Sequence, residues 1–191
     1  MKIDLKELRT KSNILSLVRF FLFAPFFLMV LEIPDDDNFR YYTLGLIFFA
    51  YITDVLDGFL ARRFNEITEM GKIIDPLADK ICVIAVVIGL YKIEAIPEYY
   101  LAVIILRDLV IFLGGIYVSK KIGKVLPSNL LGKMTIVSIG FFIMGTLLNA
   151  QSITWLYSML LYISLFFSFA SVVGYGIRGY ESIKWKQNET V

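Results

Sequence analysis

The sequence predicts an all-α integral membrane protein of six transmembrane helices with both termini in the cytoplasm. Three observations lead there. The 191-residue chain is 58% hydrophobic with a mean hydropathy of +0.71, far too apolar for a soluble domain of that length. Six apolar segments, 14–33, 41–61, 73–92, 98–119, 130–149 and 153–177, reach the length of about 20 residues that a bilayer crossing needs. Lysine and arginine also gather on alternate connections, which sets orientation.

Each element has its own signals. In residues 1–13, Ile3, Leu5 and Leu8 fall near one side and Lys2, Lys6, Glu7 and Lys11 elsewhere. This reads either as a short N-terminal interfacial helix lying on the membrane or as a charged juxtamembrane tail. The segment that follows has no A-x-A-like cleavage site and is read as a retained span. Pro34 with Asp35, Asp36 and Asp37 closes it, Pro97 opens the fourth segment, Pro127 precedes the fifth and Asn149 divides the fifth from the sixth. Residues 178–191 are expected as a cytoplasmic tail, so that 1–191 forms one membrane domain around a bundle at 14–177.

Placing the N-terminus in the cytoplasm gives that side Lys2, Lys6, Arg9, Lys11, Arg62, Arg63, Lys72, Lys120, Lys121, Lys124, Lys133, Arg178, Lys184 and Lys186. The opposite loops receive only Arg40 and Lys92. An odd number of spans would scatter this asymmetry.

Composition excludes several chemistries. The chain has no histidine, which removes His-based triads, haem ligation and the usual zinc sites. A general base must then be a carboxylate, lysine, tyrosine or water. The lone cysteine, Cys82, allows neither an intrachain disulfide nor a CxxC motif. Nucleic acid is not an expected partner; the lipid bilayer is.

Asp54 and Asp57 lie near the end of the second segment, and Asp75 and Asp79 near the start of the third. Carboxylates at membrane depth are costly and are functional by default. Asp54, Asp57, Gly58 and Ala61 stand at i, i+3, i+4 and i+7, one face of a helix. Gly71, Asp75, Asp79 and Cys82 recur at i, i+4, i+8 and i+11, again one face. Acids of one sign on adjoining helices repel unless cations lie among them. Oxygen ligands without His or Cys select Mg2+, Mn2+ or Ca2+, and two such ions about 4 Å apart polarise a phosphoanhydride. Asp79 is then placed to take a proton from an attacking hydroxyl. The competing reading pairs the acids with Arg19, Lys80 and Arg107 as buried salt bridges, and small residues such as Gly58, Ala61 and Gly71 also serve helix packing in membranes.

The string Asp54-x-x-Asp57-Gly58-x-x-Ala61-Arg62, eight residues, Gly71-x-x-x-Asp75-x-x-x-Asp79 resembles the signature of the CDP-alcohol phosphotransferases (CDP-alcohol phosphatidyltransferases) at every position. The resemblance implies six transmembrane helices, a homodimer and a polar cavity open to the cytoplasm of a bacterial inner membrane. It implies that Asp54, Asp57, Asp75 and Asp79 hold two divalent cations, Mg2+ or Mn2+, with Asp79 as general base. Gly58, Ala61, Arg62 and Gly71 would line the CDP pocket, the arginine near the pyrophosphate. An acceptor hydroxyl attacks the phosphorus on the lipid side, and CMP leaves. Arg107-Asp108 and Gly132-Lys133 look like the family's cationic acceptor pocket, although Lys133 serves equally as a positive-inside anchor.

The amphiphilic setting favours CDP-diacylglycerol as donor, and the cytoplasmic cations suit an anionic acceptor such as glycerol 3-phosphate or phosphatidylglycerol. Phosphatidylglycerophosphate synthases resemble the chain in size and first-segment pattern. The Arg107-Asp108 pair, followed by Gly114-Gly115 where a second arginine would fall, looks more like CMP-forming cardiolipin synthases. Other acceptors with the same chemistry are an inositol phosphate and serine. Two readings from other classes are a small cation transporter using the acids as an ion path, and a non-catalytic scaffold for lipid enzymes. Against the first, the fifth and sixth segments are almost uncharged; against the second, an idle site gains nothing from four costly carboxylates.

Overall fold

A computed structural model of the protein describes residues 21–64, 71–123 and 130–189, with the backbone alone for 57–64, 71–79 and 187–189. Among these residues all regular structure is helical. The elements are α1 (Phe23–Leu31), α2 (Asn38–Phe64), α3 (Gly71–Lys92), α4 (Glu98–Ile122), α5 (Leu130–Leu147) and α6 (Thr154–Glu189), with a 3-10 turn at Ala150–Ser152 before α6. Glu98–Ile122, Leu130–Leu147 and Thr154–Lys186 are each long and apolar enough to cross a membrane. The juxtamembrane stretch 1–13 and Arg19 lie outside the described residues. Two compact units, Met1–Ala95 and Ile96–Val191, make up the chain.

In the first unit α1 packs on both α2 and α3. Phe26, Val30 and Ile33 are buried with Ala85, Val86 and Leu90 of α3. The two helices approach closely because α3 offers a glycine: a Cβ on Gly89 would stand 2.9 Å from both Cβ and Cγ1 of Val30. Small residues at such crossings let backbones near one another. The acids after Pro34 have a local task. Asp36 Oδ1 accepts the Asn38 backbone N–H at 3.0 Å and its side-chain amide at 2.8 Å, satisfying an otherwise orphan donor at the start of α2. At the far end of α3 the chain leaves through Glu94 at φ 57. Ala95 N–H donates to Leu90 O at 2.8 Å and Glu94 N–H to Tyr91 O at 3.0 Å, a Schellman closure with glutamate in the left-handed position.

In the second unit α6 is the centre, with α4 and α5 packed against it. Tyr100 of α4 meets Ser164 of α6, and Arg107 meets Ser171, both pairs 64 residues apart. A constant offset means that α4 and α6 run parallel. The Thr135 hydroxyl lies 2.8 Å from Phe167 O of α6, and Gly145 sits against Leu160, so α5 runs antiparallel to α6. Phe142 stacks with Tyr100 at 4.5 Å and Tyr157 at 5.3 Å between ring centroids, tying all three helices together. Gly123, at φ +72, ends α4. The helix of α6 continues past the apolar run at 177, and Lys186 Nζ donates to Lys121 O at the end of α4. That amine lies where a helix C-terminus is electronegative.

Many large apolar side chains face outward, and several polar ones lie inside. Thr135, Ser164, Ser168 and Ser171 are fully buried, while Phe112, Phe141, Phe166 and Phe169 are each 60% or more exposed. Outward apolar and inward polar faces belong to a chain whose solvent is lipid.

Glycine contacts predict a contrast in stability. Gly89→Ala meets the stem of a β-branched side chain and is expected to cost about 1–3 kcal/mol by overpacking. Gly145→Ala would approach Leu160 Cδ1 at 2.6 Å, but that methyl ends a flexible side chain and can turn away. Thermal unfolding in detergent should therefore show the larger loss for Gly89→Ala.

Candidate active site

Both acid-bearing stretches are continuous helix. α2 runs unbroken through Asp54, Asp57, Gly58, Ala61 and Arg62, and α3 opens at Gly71 and carries Asp75 and Asp79. With 3.6 residues per turn, each set shares one face of its own helix. Asp54 is partly buried, Lys80 is exposed and Cys82 is buried. The side chains of Asp57, Gly58, Ala61, Arg62, Gly71, Asp75 and Asp79 lie outside the described residues. The donor set fits a hard divalent cation, since carboxylate oxygen is its preferred ligand and the chain has no imidazole to compete.

The second unit carries an unusual cation. Arg107, in the middle of α4, is 9% exposed. Its Nε–H donates to Ser171 Oγ at 3.1 Å, and its Nη1 is paired with the neighbouring Asp108. Ser171 Oγ–H donates in turn to Ser168 O at 2.8 Å. A guanidinium has five N–H donors in one plane, and among the described residues nothing accepts from Nη2. A buried charge with unmet donors is costly unless an anion completes the set. Phosphate does this well, because two of its oxygens match the fork of the guanidinium.

Lys133 stands elsewhere. It lines a groove of about 350 Å³ between α5 and α6 with Met134, Val137, Phe141, Leu160 and Phe167. Among the described residues no hydrogen bond joins it to Arg107. The two pairings of α6 nevertheless put Lys133 and Arg107 within about one helical turn of the same level along that helix. Gly114 and Gly115 have open space where a Cβ would project.

Ser171, Ser164 and Tyr100 are not among the residues expected from the sequence. A signal existed: Ser164, Ser168 and Ser171 fall at i, i+4 and i+7 of an apolar segment, a polar stripe that must find partners inside the protein. Arg178 continues it, seven residues beyond Ser171.

The profile of the family described as CDP-alcohol phosphatidyltransferase matches residues 9–170. The chain belongs to this family. It is a phosphatidyl-transferring enzyme, as the signature implies, and the family uses divalent metals. Among curated CDP-alcohol phosphatidyltransferases, the chain is 31% identical over 178 residues to the CDP-diacylglycerol–glycerol-3-phosphate 3-phosphatidyltransferase of Aquifex aeolicus, covering 90% of this chain and 96% of that one. It is 31% identical over 170 residues to the enzyme of the same name from Bacillus subtilis, covering 85% and 87%. A CMP-forming cardiolipin synthase of Streptomyces coelicolor is 30% identical over 112 residues, 56% of this chain and 50% of that protein.

Proposed function

We propose that this CDP-alcohol phosphatidyltransferase moves the phosphatidyl group of CDP-diacylglycerol to the primary hydroxyl of glycerol 3-phosphate and releases CMP. Its setting is a bacterial inner membrane, with six spans, both termini and the active site on the cytoplasmic side, and a homodimer as the working form. The observation that carries the choice of acceptor is similarity along nearly the whole chain to enzymes named for glycerol 3-phosphate. The partly unmet guanidinium of Arg107 supports it chemically, because that acceptor brings a phosphate.

Asp54, Asp57, Asp75 and Asp79 hold two divalent cations, Mg2+ or Mn2+. When bound, these ions neutralise the pyrophosphate and stabilise the charge that builds up on the departing CMP. Gly58, Ala61 and Gly71 leave space for the cytidine and pyrophosphate, and Arg62 pairs with a phosphate oxygen. Arg107 binds the phosphate of the acceptor, and Lys133 adds positive charge at about the same level along α6. The acceptor hydroxyl gives its proton to Asp79 as its oxygen attacks the phosphorus bearing the diacylglycerol. The bond from that phosphorus to the bridging oxygen breaks, and CMP leaves with the electron pair.

A second acceptor, phosphatidylglycerol, is favoured by one observation: Arg107 is followed by aspartate and then by the open faces of Gly114 and Gly115. An acceptor panel with radiolabelled CDP-diacylglycerol separates the two. Purified protein with Mg2+ or Mn2+ should convert glycerol 3-phosphate to phosphatidylglycerophosphate and release CMP in equal amount. Chelation with EDTA should abolish turnover, and either cation should restore it. Cardiolipin as the sole product would replace the acceptor. Ion flux in liposomes without nucleotide turnover would replace the chemistry.

A further inference from the structure

We infer that Ser171 is a positioning residue for the acceptor: by accepting the Nε–H of Arg107 it aims the remaining guanidinium donors at the anionic group of the incoming alcohol. This rests on the reading of Arg107 as the ligand of that group.

The geometry is specific. A guanidinium is planar, so holding two of its nitrogens sets the direction of the third. Ser171 holds Nε at 3.1 Å from α6, and Asp108 engages Nη1 from α4. Among the described residues nothing accepts from Nη2, which is left for a ligand. Ser171 is fully buried, and its own proton is committed to Ser168 O at 2.8 Å. The lone pairs of its oxygen are therefore turned towards the arginine and have no water to serve.

Two turns along, Ser164 Oγ donates to Tyr100 Oη at 2.9 Å with the same offset between helices. That second tie between the parallel helices α4 and α6 does not touch Arg107. A long charged side chain free to sample many rotamers loses conformational entropy when it captures a phosphate. One already fixed at two nitrogens loses little.

The test compares Ser171→Ala, Ser171→Thr, Ser164→Ala and Arg107→Gln in the full-length purified enzyme, using whichever acceptor of the panel yields product. Ser171→Ala should raise the KM for that acceptor about 10-fold, in line with the loss of one charge-assisted hydrogen bond. The KM for CDP-diacylglycerol and kcat should stay within about 2-fold, as expected when uniform binding of one substrate is weakened. Ser171→Thr, which keeps the hydroxyl, should restore the acceptor KM. Ser164→Ala removes an equally buried hydroxyl from the same face and should leave it unchanged.

Equal effects of Ser171→Ala and Ser164→Ala would overturn the proposal, as would a parallel rise in both KM values. If Arg107→Gln raises the acceptor KM while Ser171→Ala does not, Ser171 alone loses its role. If Arg107→Gln leaves that KM unchanged, the reading of Arg107 fails and the proposal with it. Should Ser171→Ala not fold, Ser171→Cys serves instead, since sulfur is a weak acceptor and should give the same rise.

Discussion

Asp79→Asn is expected to lower CMP release by about 1,000-fold at saturating substrate, the scale of losing both the general base and the cation ligand proposed for it. Asparagine keeps the shape and packing of the side chain and removes only its charge and basicity, so the protein should still fold. Asp57→Asn should fall by a similar factor through metal affinity and recover part of its activity at high Mn2+. A stability measurement gives an independent reading. Four carboxylates gathered at one site, as proposed, repel when no cation is bound, so either substitution should raise the unfolding temperature of the metal-free protein. It should also shrink the rise that Mg2+ produces in the unsubstituted enzyme. Turnover unchanged in both variants would remove the acids from the reaction.

Arg107→Gln is expected to raise the KM for glycerol 3-phosphate about 100-fold, equivalent to about 2.7 kcal/mol. The KM for CDP-diacylglycerol should move little. Arg107→Lys should not rescue it: an ammonium cannot reach Ser171 Oγ and Asp108 while presenting a fork to phosphate. Initial rates with each substrate varied in turn separate the effects. A rise confined to CDP-diacylglycerol would move Arg107 to the donor, and no rise in either would make it a structural ion pair with Asp108.

Several features of the molecule are local, and these were legible without coordinates. Helix ends follow from single residues whose backbone preferences act where they stand. Pro97 precedes α4 at φ −73 and ψ 149, and Asn149 takes the left-handed conformation after α5. The acids of α2 and α3 are separated by multiples of a helical turn, so an unbroken helix is enough to put each pair on one face. The all-helical class follows from apolar length, and the family follows from spacing within 26 residues, from Asp54 to Asp79.

What escaped the sequence depends on which helix lies beside which, and at what offset. An apolar segment can bury any of its faces equally well, so hydropathy does not say that α4 and α6 run side by side 64 residues apart. Nothing near Arg107 in the chain announces Ser171. Nor does the apolar run say that α6 continues to Glu189; the extension has polar, helix-compatible residues and docks Lys186 on the last turn of α4.

The family and its chemistry are legible in the chain because carboxylate spacing and apolar length are properties read along one axis. How Arg107 is held and where Val30 meets Gly89 emerge from the packing of the helices. Those depend on shape matching between helices, where a single methyl or hydroxyl selects one register among many of equal hydrophobicity.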